Sequence, residues 1–281
     1  MEIFHDIKSI RNFLKKSANQ EIGFVPTMGA LHQGHLSLID LARKSSHIVV
    51  VSIFVNQKQF NNSDDFAKYP NHLDQDIELL KKSGVDVLFV PNSDQIYGNG
   101  FLTNITIEKL GDNLCGESRK NHFEGAALIV SKLFNIVKPQ KAFFGEKDFQ
   151  QLQIIKKLAL DLNFDIQIVS GKTLREEDGL AMSSRNLRLN NTERTIAGKI
   201  YQHLSFAKEQ IIANSNRNID AILQEMTDNL LKLGAKKIDY LKICDEENLE
   251  TISTFNLTIK SRLFIAIYVG KIRLIDNIPL Y

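Results

Sequence analysis

From residue 3 to about residue 170 the chain alternates short continuous apolar runs with stretches whose apolar positions recur at helical spacing. The runs at 22–25, 47–55, 85–90, 141–144 and 164–169 have the composition of strands buried on both faces, as in a parallel sheet. Helical spacing occupies 34–45, 73–83, 123–137 and 149–160, and Pro139 stops the third of these. Residues 3–18 open the pattern with a short strand and an amphipathic helix whose apolar side carries Ile7, Ile10, Phe13 and Leu14. A further strand is expected at 104–110, and the polar stretch 111–121 reads as a loop.

Strands alternating with helices predict an α/β fold over residues 1–172, a Rossmann-like doubly wound parallel sheet. The pattern then changes. Helices at 192–213 and 217–233 precede strands at 238–244, 263–269 and 271–276, which predicts a smaller C-terminal α+β domain over 173–281 with an antiparallel hairpin. Ligands of a doubly wound sheet bind beyond the carboxyl ends of its strands. Three polar motifs fall there: His32 and His35 after the first buried strand, residues 56–60 after the second, and residues 145–148 after a later one. The chain has no Gly-x-Gly-x-x-Gly, which disfavours a dinucleotide.

The densest chemistry lies at 23–36, where a strand end meets a Pro26-Thr27-Met28-Gly29 turn and a helix start bearing His32 and His35. Residues at this spacing share a helix face, so both imidazoles can meet one ligand. The helix N-terminus adds unpaired N–H groups and partial positive charge, and Gly29 and Gly34 admit a bulky anion close to the backbone. A phosphate chain fits this cradle. The alternatives are a metal half-site or two surface histidines; no Cys, Glu or third His at ligand spacing supports the metal.

Gly145 ends a strand, and Glu146, Lys147 and Asp148 follow it. Lys147 offers phosphates a point charge, Asp148 caps the next helix or binds a metal or ribose, and Gln151 lies one turn on. Ser183, Ser184 and Arg185, at the domain junction, combine hydroxyl donors with a guanidinium suited to closing over phosphates. Gln59 both donates and accepts, which suits a small ligand carrying hydroxyl and carboxylate groups, although a polar loop leaving a strand looks the same. Residues 115–125, with Arg119, read as a loop leading into a helix.

Charge and cysteine content narrow the classes. With 35 basic and 33 acidic residues the net charge is +2, too little to make nucleic acid the default partner. Cys115 and Cys244 are too few for a disulfide framework or zinc site, read as packing residues, and fit a reducing cytoplasm. The first residues lack the basic and apolar regions of a signal peptide, and no apolar run approaches a membrane span.

The stretch Pro26-Thr27-Met28-Gly29-Ala30-Leu31-His32-Gln33-Gly34-His35 resembles the HxGH signature of the nucleotidylyltransferase superfamily, in the form carried by the pantoate–β-alanine ligases. Asn56-Gln57-Lys58-Gln59-Phe60 is similar to that family's Asn-Pro-x-Gln-Phe, with Gln57 replacing Pro. Residues 64–70 resemble its Glu-Asp-Tyr…Tyr-Pro segment. Lys120 and Asn121 stand where it has Pro-Gly between Arg and His-Phe. Residues 175–186 resemble its Arg-Glu-x-Asp-Gly-Leu-Ala-x-Ser-Ser-Arg-Asn almost residue for residue, and 269–277 resemble its C-terminal segment.

The resemblance implies an ATP- and Mg²⁺-dependent condensation of (R)-pantoate with β-alanine, through pantoyl adenylate, to pantothenate, AMP and pyrophosphate. It implies catalytic roles for His35, His32, Lys147 and Arg185. ATP is expected along Met28, Gly29, Ala30, Leu31, His32, Gln33, Gly34 and His35, at Gly145, Glu146, Lys147 and Asp148, and at Leu174, Met182, Ser183, Ser184 and Arg185. Gln59, Gln151 and Asn56 are expected at the substrate, and Asp65 at Mg²⁺ through water. A cytoplasmic homodimer, with the smaller domain closing over the site, is implied as well. Two other readings are a nucleotidylyltransferase that ends in a stable nucleotide product and a non-catalytic adenine-nucleotide-binding protein. The Asn-x-x-Gln-Phe and Ser-Ser-Arg-Asn motifs argue against the first, and intact His32, His35, Lys147 and Arg185 against the second.

Overall fold

The structure is a computed structural model that describes residues 1–17, 19–61, 66–67, 69–213 and 218–281. Asp65, expected at the metal, lies outside the described residues. The first part of the chain runs β1 (Glu2–Phe4), α1 (Ile7–Lys15), β2 (Ile22–Thr27), α2 (Gln33–Ser45), β3 (Ile48–Ile53), α3 (Leu73–Lys82), β4 (Val87–Phe89), α4 (His122–Val137), β5 (Lys141–Gly145), α5 (Phe149–Asp161) and β6 (Gln167–Gly171). These strands form one parallel sheet in the order β1-β4-β3-β2-β5-β6.

Successive strand side chains point to opposite faces, and here both faces are covered. Phe24, Val50 and Phe144 pack with α1, α4 and α5 on one side, whereas Val25, Val49, Val51 and Phe143 pack with α2 and α3 on the other. Hence β3 is buried at every position and reads as an uninterrupted apolar run. From β2 the chain winds outward through β3 to β4, then returns across the sheet to β5 and β6. The reversal falls between β2 and β5, which pair only through Gly23–Lys141 and Phe24–Ala142 and are unpaired beyond. Their carboxyl ends therefore part, leaving a crevice at the switch point of the sheet.

The expected strand at 104–110 is absent. Ile105 and Ile107 pack against the first core from irregular backbone, so their alternation reflects burial without a strand partner. The expected loop at 111–121 contains a helical turn, Cys115–Ser118. The expected helix at 192–213 is two, α6 (Asn191–Ala197) and α7 (Ile200–Ala213), broken at Gly198. A Cβ at Gly198 would collide with the Asp178 carboxylate, which is ion-paired to Arg194.

After α8 (Ile219–Lys232), strands β7 (Lys237–Asp245), β8 (Ser261–Val269) and β9 (Ile272–Pro279) form an antiparallel sheet. One face, with Leu263, Ile265 and Ile267, packs on α7 and α8 in a core that runs from Leu180 to Leu280. The opposite face joins the first core through Cys244 and Phe264. Phe264 lies 5.9 Å from the Phe149 ring, and the Arg262 guanidinium sits 4.0 Å over that ring. Asn277 donates from Nδ2 to the carbonyls of Glu146 (3.0 Å) and Lys147 (2.9 Å), so the last strand holds the turn that follows β5. Among the described residues no helix is long and apolar enough to cross a membrane.

Candidate active site

A cavity of about 230 Å³ occupies the crevice between the ends of β2 and β5. Met28, His32, Gly34, His35, Gln59, Gly145, Lys147, Asp148, Gln151, Leu174, Met182, Ser183, Ser184 and Arg185 line it. Gly29, Ala30, Leu31, Gln33, Glu146 and Asn56 do not. Tyr69, Arg119 and His122, which the sequence reading did not place in the site, do.

His32 is the N-cap of α2, with extended backbone (φ −140°, ψ 175°). Its Nδ1 accepts from the Gly34 N–H (3.2 Å), and His35 Nδ1 accepts from the His32 N–H (3.3 Å), closing a reciprocal capping box. A neutral imidazole that accepts at Nδ1 carries its proton on Nε2. Both rings are neutral: burial, with the Lys147 charge, pushes His32 down to about 4, and burial, with its neighbour His32, pushes His35 down to about 3. The pair, 4.1 Å between centroids with planes tilted by 41°, thus offers two uncharged N–H donors on cavity-lining side chains.

Neutral rings carry a pH signature. Unfolded histidine titrates near 6.5, so below that pH the unfolded chain binds protons that the folded chain refuses. Stability is expected to fall as pH drops from 7 to 5, read as a declining urea midpoint. A midpoint that stays flat over this range would overturn the neutral assignment.

Several of the backbone donors expected beside the histidines are already engaged. Ala30 and Leu31 donate to the two Asp76 carboxylate oxygens (2.8 Å each), Gly29 donates to Thr27 Oγ1, and Gly34 to His32. Asp76, on α3, is 2% exposed; burial raises its carboxyl while the Leu31 and Ala30 N–H groups pull the other way. It holds Ala30 in the left-handed region, at φ 50°.

Gln59 ends a 3₁₀ turn at Gln57–Gln59. Asn56, expected at the substrate, is fully buried and braces this turn. Its Oδ1 accepts from Lys58 N–H (3.3 Å) and Tyr97 O–H (2.6 Å), and its Nδ2 donates to Gly125 O (3.0 Å). A Cβ at Gly125 would strike the Lys58 carbonyl, so glycine there lets α4 abut the turn. Arg119 donates from Nη1 to His122 Nε2 (2.9 Å) and from Nη2 to Gln59 O (3.3 Å). Arginine only donates, which fixes His122 with Nδ1–H directed to Gln59 O at 2.7 Å. Burial, reinforced by the Arg119 charge, pushes His122 down to about 3. The signal available in the sequence was the Arg-x-x-His spacing at a helix start.

Across the cavity, the turn Glu146–Asp148 presents Lys147 and Asp148, whose Nζ and Oδ2 lie 3.7 Å apart. Asp148 stands at the N-cap of α5 but makes no capping hydrogen bond, contrary to one expectation for it. Protein surrounds its carboxylate, which is half open to the cavity. Burial pushes the carboxyl up; Lys147, Arg185, His122 and Arg119 outweigh this and hold it below the usual range. Ser183 Oγ accepts from the Arg185 N–H (3.2 Å), starting the turn Ser184–Arg188, and Met182 N–H donates to Leu174 O (3.0 Å), bringing those two segments together. Among the described residues no group of three or more His, Cys, Asp or Glu side chains could hold a metal ion alone.

The family model for pantoate-beta-alanine ligase matches residues 2–279. The pantothenate synthetase of Caldicellulosiruptor bescii is 44% identical over 273 residues, covering 97% of this chain and 95% of that one. That of Aquifex aeolicus is 46% identical over 278 residues, covering 98% and 97%. The crystal structure of pantothenate synthetase from Thermus thermophilus superposes with a TM-score of 0.91 at 37% identity over 100% of both chains. Pantoate–β-alanine ligase from Francisella tularensis, complexed with β-γ ATP and β-alanine, gives 0.85 at 40% identity over 100% of this chain and 98% of that one. Matched over almost its entire length, this chain belongs to the pantoate–β-alanine ligase family.

Proposed function

We propose that the cavity joins (R)-pantoate to β-alanine in two displacements, with pantoyl adenylate between them. In the first, a pantoate carboxylate oxygen attacks the α-phosphorus of ATP, and pyrophosphate leaves as the α–β bridge breaks. In the second, the deprotonated β-alanine amine attacks the activated carbonyl; the amide forms, AMP departs and the amine loses a further proton. The observation that carries this reading is the sharing of one cavity by two kinds of group. The neutral His32 and His35, with Lys147, Ser183, Ser184 and Arg185, suit a triphosphate; Gln59 and Gln151 suit a small hydroxy acid.

His32 and His35 donate hydrogen bonds to the α-phosphate oxygens as charge develops there, without first giving up a proton. Lys147 and Arg185 neutralise the departing pyrophosphate, and the two serines donate to its oxygens. Gln59 and Gln151 aim the pantoate carboxylate at phosphorus. Catalysis is then chiefly positioning and charge stabilisation.

Mg²⁺ fits this donor set, because such ions keep several waters and take one or two carboxylates together with substrate phosphates. Asp148, ionised and half open to the cavity, would hold it. When bound, the ion supplies further neutralisation of phosphate charge. A functional division at residues 172/173 is supported by β6 ending at Gly171 and by the second core beginning at Leu180.

Product analysis with ATP and Mg²⁺ tests the reaction. AMP and pyrophosphate are expected over many turnovers only with both pantoate and β-alanine present, and pantoate alone should support exchange of pyrophosphate into ATP. ATP consumption that requires neither substrate would point to another acceptor and overturn the reading.

A further inference from the structure

β-Alanine reaches the second step with a carboxylate that remains ionised. Burying that charge without a partner is costly, so a cation must meet it. Among the described residues, Lys147, Lys172, Arg185 and Arg119 are the lysines and arginines lining the cavity. Lys147 faces Asp148, and Arg185 follows the two serines, both on the side given to phosphates. Lys172 follows β6, next to Thr173 and Leu174. Arg119 stands against Gln59, the residue that addresses the acyl group, and donates to its carbonyl.

Arg119 also borders a second cavity, of about 420 Å³, which shares Lys147, Asp148, Ser183 and Arg185 with the first. Its wall includes Arg188, Lys271 and Arg273 and reaches β9 of the antiparallel sheet. Beside Asp148 and Asp276 this lining carries six lysines and arginines, Arg119, Lys147, Arg185, Arg188, Lys271 and Arg273, a balance that suits the carboxylate end of an amino acid. His122 fixes the guanidinium from behind as an uncharged acceptor, so the orientation of the planar fork is set before substrate arrives.

We propose that Arg119 is the receptor for the carboxylate of β-alanine, and that the second cavity is the route by which this substrate enters. The inference rests on the two-step ligase reading above. Its test is the selectivity of Arg119→Gln and Arg119→Lys between β-alanine and β-alaninamide, an amine of equal length without the negative charge. The wild-type chain is expected to favour β-alanine, and Arg119→Gln to lower kcat/KM for β-alanine by about 10- to 100-fold, chiefly through KM. The amide should change by no more than about threefold, and Arg119→Lys should restore part of the preference.

Pantoate-dependent ATP–pyrophosphate exchange, measured on the same samples, reports the first step without β-alanine. If the wild-type chain lacks exchange, the two-step reading fails, independently of Arg119. If exchange is intact but both amines suffer equally in Arg119→Gln, or exchange falls in step with β-alanine turnover, Arg119 only braces Gln59 and the inference is overturned. A wild-type chain indifferent to the carboxylate overturns it without any variant.

Discussion

His35→Ala is expected to lower AMP formation by about 10²- to 10³-fold, the range lost when one positioned donor to developing charge is removed. The ring also caps the His32 N–H, so part of the effect on the protein is structural, about 1 kcal/mol of stability for a lost helix cap. That is too little to unfold a typical domain. His35→Asn separates the contributions, because its side-chain oxygen can accept from His32 while offering the phosphate a different donor geometry. Turnover should remain low in both variants, with the stability loss smaller for Asn. Steady-state AMP release beside urea unfolding makes the comparison, and near-normal turnover of His35→Ala would remove the ring from the reaction.

Asp76→Ala should cost more stability than any substitution on the cavity wall itself. It strips two N–H groups, the buried one of Ala30 and the partly buried one of Leu31, of their shared acceptor. Each such orphan costs about 1–3 kcal/mol, giving about 2–6 kcal/mol in total. The left-handed Ala30 then loses the contact that holds it, and His32, two residues on, loses its fixed approach to α2. Asp76→Asn keeps one acceptor oxygen and should lose about half as much. Urea unfolding of the two variants measures the difference; equal, small losses would mean that water replaces the carboxylate at no cost.

Much of this was legible from the chain because it rests on local regularities. Strands such as β3 announce themselves by unbroken burial, and the histidines by their spacing at a strand-to-helix turn. Asp76 gave no signal: on an amphipathic helix it looks like any solvated carboxylate, and its partners lie 45 and 46 residues away. The expectation of Asn56 at the substrate follows from the resemblance of its motif, and its bonds to Gly125 and Tyr97 could not be read from spacing because those residues come from distant segments. The misread strand at 104–110 has the same origin, since alternation records which side chains are buried and says nothing of whether a neighbouring strand exists. Arg119 and His122 were undervalued because their roles depend on the Gln59 carbonyl, which no sequence spacing reveals.

The grip of Asn277 on the turn after β5 has a consequence for the order in which the molecule is completed. The Lys147 carbonyl leaves the ribosome 130 residues ahead of the side chain that satisfies it. A nascent chain can assemble all six parallel strands, with both histidines in place, and still have the phosphate-side turn unsecured. Securing the phosphate-side turn thereby waits on the emergence of β9, and a polypeptide that stops short of that strand has its scaffold before it has its chemistry.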